Sequence, residues 1–138
     1  MKTENPIILN IGGIGAVSID MTHTNCACKL ICDCEDENSK PLKIIIEFSL
    51  VTAYRFTCEM YCGGFPDGSY DAILEVKDSD WLKTVCANAP RGHKSPWRQR
   101  HFAMFLGSCG CYEFIADDVT VKNEYYNGRQ MECGCTQE

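Results

Sequence analysis

Two stretches of strict alternation dominate the chain. From Leu42 onward the even positions read Leu42, Ile44, Ile46, Phe48, Leu50, Thr52, Tyr54, Phe56 and Cys58, while the odd positions are mostly polar or small, among them Lys43, Glu47, Ser49, Arg55 and Thr57. Period two puts one set of side chains on one face of an extended strand, so the even face is expected in the core. The run is much longer than an ordinary strand of about 5–6 residues. A bulge or bend is therefore expected near residues 49–52, letting the segment serve two parts of a curved sheet. Upstream, Cys26, Cys28, Leu30, Cys32 and Cys34 share one face, separated by Ala27, Lys29, Ile31 and Asp33. The polar stretch 35–41 has the Asp, Asn, Ser and Pro content of a hairpin loop. Pairing centred on it sets Cys34 opposite Leu42, Cys32 opposite Ile44, Leu30 opposite Ile46 and Cys28 opposite Phe48.

Shorter signals complete the picture. Residues 7–11 and 14–19 read as two strands joined in a hairpin by Gly12-Gly13, because paired glycines supply the positive φ of a tight turn. Residues 72–76 read as a strand. A short helix fits 79–87, with Asp78 as its cap, Asp80 favouring the positive end of the dipole, and Trp81, Leu82, Val85 and Cys86 on one buried face. Asn88 and Pro90 end it. A last hairpin pairs 102–106 with 112–116, and 119–121 adds an edge strand. The elements predict a mainly β fold, α+β at the margin: a curved antiparallel sheet, as a sandwich or partial barrel, with one helix near 79–87. With 138 residues, 45% of them apolar, the chain can bury one core. A single domain spanning 1–138 is expected, with a polar, mobile tail from about residue 122.

Charge narrows the function classes. A formal net charge of −6 opposes general attraction to nucleic acid or anionic lipid, so neither is an expected partner. The apolar segment 6–19 is broken by Asn10 and several glycines, and it falls short of the roughly 20 apolar residues of a spanning helix. Only Lys2, offset by Glu4, supplies a basic amino-terminal region, which argues against a signal peptide and for the cytoplasm. Against that background one loop stands out, because Arg91, His93, Lys94, Trp97, Arg98, Arg100 and His101 fall in a Pro-bounded stretch. A basic loop with a tryptophan suits an acidic protein partner, and Arg91, Lys94, Trp97, Arg98 and Arg100 are the candidate contact residues.

Eleven cysteines raise the question of metal, disulfide or core. An odd number in a reducing compartment does not make a complete disulfide framework. Alternate residues of a strand lie about 6.8 Å apart at the α-carbon, at the outer edge of disulfide geometry. Sulfurs on one tetrahedral zinc must approach to roughly 3.8 Å, so the Cys26 to Cys34 stripe reads as small buried hydrophobes rather than ligands. Gly110 and Gly134 separate two other pairs and permit converging turns. Cys109, Cys111, Cys133 and Cys135 are thus the candidate zinc ligands, although no cofactor at all is the leading expectation. Cys58 and Cys62 read as a loop pair. A nucleophilic cysteine needs a neighbouring base, and nothing in the sequence aims His93 or His101 at a thiol. No catalytic residue is assigned, and no phosphate-binding or dinucleotide motif follows the glycines.

Three blocks, 46–59 (Ile46-Glu47-Phe48 through Thr57 and Glu59), 75–82 (Glu75-Val76-Lys77-Asp78-Ser79-Asp80-Trp81-Leu82) and the strands containing Arg100-His101-Phe102 and Tyr112-Glu113-Phe114-Ile115-Ala116, together resemble small uncharacterised bacterial β-rich proteins. The resemblance covers the middle two-thirds of the chain. It implies a non-enzymatic binding protein, with a toxin-neutralising, immunity-like role as one form, and it does not account for the cysteine density. The alternatives are a zinc or soft-metal protein and a thiol-dependent enzyme.

Overall fold

The computed structural model describes residues 2–9, 13–22, 26–63, 71–90, 98–106 and 110–126. Among these residues nine strands form two antiparallel sheets. One holds β1 (Lys2–Ile8), β6 (Ala72–Lys77), β7 (Arg100–Leu106), β8 (Gly110–Ala116) and β5 (Ala53–Cys58) in that order; the other holds β2 (Gly13–Thr22), β3 (Ala27–Glu35), β4 (Pro41–Ser49) and β9 (Asp118–Tyr125). The sheets do not close into a barrel, which decides the sequence alternatives in favour of a sandwich.

The β3–β4 hairpin follows the register its loop predicts: Cys34 pairs with Leu42, Cys32 with Ile44, Leu30 with Ile46 and Cys28 with Phe48. Asp36 builds that loop, its Oδ1 accepting the backbone N–H groups of Asn38 (2.8 Å) and Lys40 (2.9 Å) while Ser39 takes φ 62°. Asp36 is therefore a turn organiser, as a solvated turn requires.

The long alternating run breaks where expected, and the break carries the chain from one sheet to the other. Leu50 adopts φ 52°. The Val51 N–H then bonds Cys26 O at 2.6 Å, beside β3, whereas the next amide, Thr52 N–H, bonds Ile115 O at 2.8 Å on β8. Adjacent residues thus serve different sheets. The return crossing at Asp117 is tied to the same point, its N–H bonding Ser49 O at 2.9 Å.

Between the sheets lies the main core. Cys28, Leu30, Cys32, Cys34, Leu42, Ile44, Ile46 and Phe48 from one sheet meet Ile73, Phe102, Met104, Leu106, Tyr112, Phe114 and Ala116 from the other. Cys28 and Cys32 are wholly buried and Cys34 nearly so, its Sγ donating to Leu42 O at 3.7 Å. The cysteine stripe is core, with one correction: Cys26 is only half-buried, because it sits at φ 52° in the turn before β3. In β7 and β8 alternation of burial disappears. Their other face is buried too, with Ala103, Phe105, Cys111 and Ile115 joined by Leu74 and Val76 of β6. A strand covered on both faces reads as a continuous apolar run, and His101 and Glu113 interrupt it.

Four other expectations change. Strands β1 and β2 do not pair with each other: β1 pairs with β6 and β2 with β3, so the expected hairpin of 7–11 with 14–19 does not form. The helix, α1 (Asp80–Ala87), is capped by Ser79, whose Oγ accepts Leu82 N–H at 3.0 Å, because Asp78 at φ 53° is turned out of the capping position. Trp81, Leu82 and Val85 are half-buried, but Cys86 is exposed and not part of a core face. Finally, β9 runs through Tyr125, beyond residue 122, and lies at the sheet edge beside β4. Among the described residues no helix is long and apolar enough to cross a membrane.

Candidate functional site

The residues proposed from sequence separate into two groups. Arg91, Lys94 and Trp97 of the basic loop, and Cys109, Cys133 and Cys135 of the proposed zinc set, lie outside the described residues. Arg98, Arg100 and Cys111 are described. Arg100 is engaged within the fold: it clamps Glu75 with Nε (3.1 Å) and Nη2 (2.7 Å), donates from Nη1 to Asp117 O (3.3 Å), and approaches Asp118 at 3.5 Å. Arg98 keeps a side chain that is 70% exposed, although its backbone N–H is held by Asp117 Oδ1 at 2.8 Å. Cys111 is buried, and burial foremost, aided by the Glu113 carboxylate, pushes its thiol well above the usual range. That opposes the thiolate a zinc ligand must be. Among the described residues no group of three His, Cys, Asp or Glu side chains is placed to hold a metal ion.

A buried polar chain escaped the sequence reading. Ser79 Oγ lies 2.6 Å from His101 Nδ1, and His101 Nε2 lies 2.8 Å from Glu113 Oε1. Arg55 closes the chain, donating from Nε and Nη2 to the two Glu113 oxygens at 2.9 and 3.2 Å. Trp81 of α1 covers it, meeting the His101 ring edge-on at 5.0 Å with the Arg55 guanidinium 4.1 Å from its ring centre. Burial alone would raise the Glu113 carboxyl, but hydrogen bonds and charge from His101 and Arg55 outweigh it and hold it down at about 2. His101 thus bridges the Ser79 hydroxyl on Nδ1 and the Glu113 carboxylate on Nε2.

Hydroxyl, imidazole and carboxylate in this order match a hydrolase relay, yet their surroundings assign them a structural task. Ser79 and His101 are 6% and 3% exposed. Ser79 Oγ already accepts the Leu82 amide as helix cap, and Arg55 occupies both Glu113 oxygens. The chain pins α1 to the outer face of the five-stranded sheet. A signal for it existed in the sequence, since His101 and Glu113 are the buried polar residues of two otherwise largely apolar strands.

The opposite character appears at β5. Among the described residues this strand is last in its sheet, paired with β8 on one side only. Tyr54 and Phe56, expected in the core from alternation, do point to the same face as their cross-strand partners Phe114 and Tyr112, with ring centres 5.7 and 4.8 Å apart. Edge position leaves them 45% and 49% exposed. The short 3₁₀ turn Glu59–Tyr61 follows directly, with Met60 84% and Tyr61 79% exposed. At the other end, Gln99 Oε1 accepts the Thr52 hydroxyl at 2.8 Å, which brings Arg98 to the head of the same edge. Tyr54 and Phe56, with Arg98 at one end and the exposed Glu59 at the other, therefore occupy one sheet margin, and Met60 and Tyr61 follow Glu59 in the turn. Comparison of the chain with protein-family models, curated proteins and solved structures returns no match, and the resemblance of its middle portion to bacterial β-rich proteins gains no support from them.

Proposed function

We propose that the protein is a non-enzymatic binding module that receives an extended segment of another protein along β5. The exposed aromatic edge carries this reading. Natural sheets protect their edges with charge, proline or a covering element, because unpaired backbone groups recruit foreign strands. In β5 the one charged residue, Arg55, is engaged by Glu113, while Tyr54 and Phe56 are presented. Strand addition gains affinity from main-chain hydrogen bonds and selectivity from alternate side chains. The fitting partner segment carries aromatic or aliphatic residues at alternate positions, an acidic residue at the Arg98 end and a basic one at the Glu59 end. An immunity-like role, in which the bound protein is neutralised, is the finer form of this reading.

Selection of binders from a random peptide library tests it. The enriched peptides should show that alternation and charge order, and Phe56→Lys should weaken their binding at least tenfold while Cys86→Ser leaves it unchanged. Failure to enrich any peptide, or binding indifferent to Phe56→Lys, would overturn the proposal. Self-association through β5 would appear as a concentration-dependent dimer in sedimentation and would replace the foreign partner with a second copy.

A further inference from the structure

Where β5 enters the 3₁₀ turn, two thiols from distant parts of the chain come together. Cys62 ends the turn with extended backbone (φ −73°, ψ 131°). Its half-buried Sγ lies 3.4 Å from the carbonyl oxygens of both Thr57 and Cys58. Thr57 is the cross-strand partner of Cys111, and Cys58 is that of Gly110, so the Cys62 sulfur sits over the β5–β8 junction. The Cys111 backbone N–H donates to it there. Thr57 and Cys111 are directly opposed, so a sulfur in contact with Thr57 O lies beside the backbone of Cys111 as well. Gly110 permits the close approach: a Cβ at this position would lie 2.4 Å from Thr57 O and 3.1 Å from Glu59 N, and its φ of 141° disfavours any other residue. Cys58, nearer in sequence, is the competing partner, since the Cys62 sulfur also lies 3.4 Å from its carbonyl oxygen.

The geometry points to Cys62 and Cys111 as a site of reversible disulfide formation, driven by a two-electron oxidant of the peroxide class. Cys62, the more accessible of the two, attacks a peroxide oxygen as its thiolate. The O–O bond breaks, one water forms, and the sulfur becomes a sulfenic acid. Cys111 then attacks that sulfur; the S–S bond forms, the S–O bond breaks and a second water leaves. Two thiols lose two protons and two electrons, and hydrogen peroxide is reduced to two waters. The product ties the turn bearing Met60 and Tyr61 covalently to β8. Burial, the largest influence on each, pushes both thiols above their ordinary range. Oxidation at neutral pH is accordingly slow, and it accelerates about tenfold per pH unit while the thiolate remains the minor form.

The test needs no binding partner, so it stands or falls separately from the function proposed above. The full chain is treated with hydrogen peroxide at several pH values, the remaining thiols are alkylated, and peptides are mapped by mass spectrometry. The expected result is a Cys62–Cys111 linked peptide pair, reversed by dithiothreitol, with slowed hydrogen exchange at Met60 and Tyr61. Cys62→Ser, at a half-buried position that spares the core, should abolish the linkage without unfolding the protein. Linkage of Cys62 to Cys58, or oxidation of Cys62 beyond the sulfenic acid with Cys111 still reduced, would overturn the assignment.

Discussion

Replacing Phe48 with alanine should destabilise the protein by about 3–5 kcal/mol, the range found for truncating a buried aromatic ring. Phe48 is wholly buried. It leaves β4 and stacks on Phe114 of β8 at 3.9 Å with the rings 14° from parallel, while Phe102 of β7 lies at 5.9 Å. One side chain thus joins both sheets. Neighbours such as Ile46 and Leu30 belong to rigid strands and can fill only part of the void. Urea unfolding followed by tryptophan fluorescence reads the effect as a lower midpoint with an unchanged slope. A loss below about 1 kcal/mol would mean that the sheets are not packed through this ring.

The second large effect belongs to Glu113. Its folded-state carboxyl is lowered from 4.5 to about 2, below the value in the unfolded chain. The resulting stabilisation is complete above about pH 4.5 and is lost as the pH falls towards 2, and it amounts to something on the order of 3 kcal/mol. Glu113→Gln keeps the size and one acceptor oxygen but removes the charge, so it imitates the protonated group at every pH. The variant should be less stable than the parent by on the order of 3 kcal/mol at pH 7, and the two should converge as the pH approaches 2. Parallel stability profiles across that interval would contradict the assigned ion pair with Arg55 and hydrogen bond with His101. A control at Glu124, exposed beside Lys122 at 2.9 Å, should change stability little, since surface pairs contribute little.

Where a feature depended on local pattern, it was legible in the chain. Alternation located β3 and β4, and the polar loop centred on Asp36 determined their register. The bend at 49–52 followed from the improbable length of the run, and Asn88 ends α1 as expected. Features that depend on which sheet a strand joins were not legible. A glycine pair can turn a hairpin or lead between sheets, and nothing local to Gly12 distinguishes pairing of β1 with β2 from pairing with β6. Tyr54 and Phe56 follow the alternation in direction, but their exposure is decided by β5 being last in its sheet. The Ser79–His101–Glu113–Arg55 chain draws one residue from each of four segments separated by up to 58 positions, so no spacing rule finds it. The cysteine stripe was resolved by strand geometry alone: bridging or chelation demanded a bend that β3 does not make, and burial of Cys28, Cys32 and Cys34 is the outcome.

Binding at the β5 edge is the central claim, and amide hydrogen exchange measured on the free protein and on its complex with a library-selected peptide tests it most directly. The account predicts new protection over residues 53–58, with residues 60–61 also slowed and α1 unchanged. Protection confined to β1, β2 or β9, the other sheet margins, with β5 exchanging as in the free protein, would contradict it.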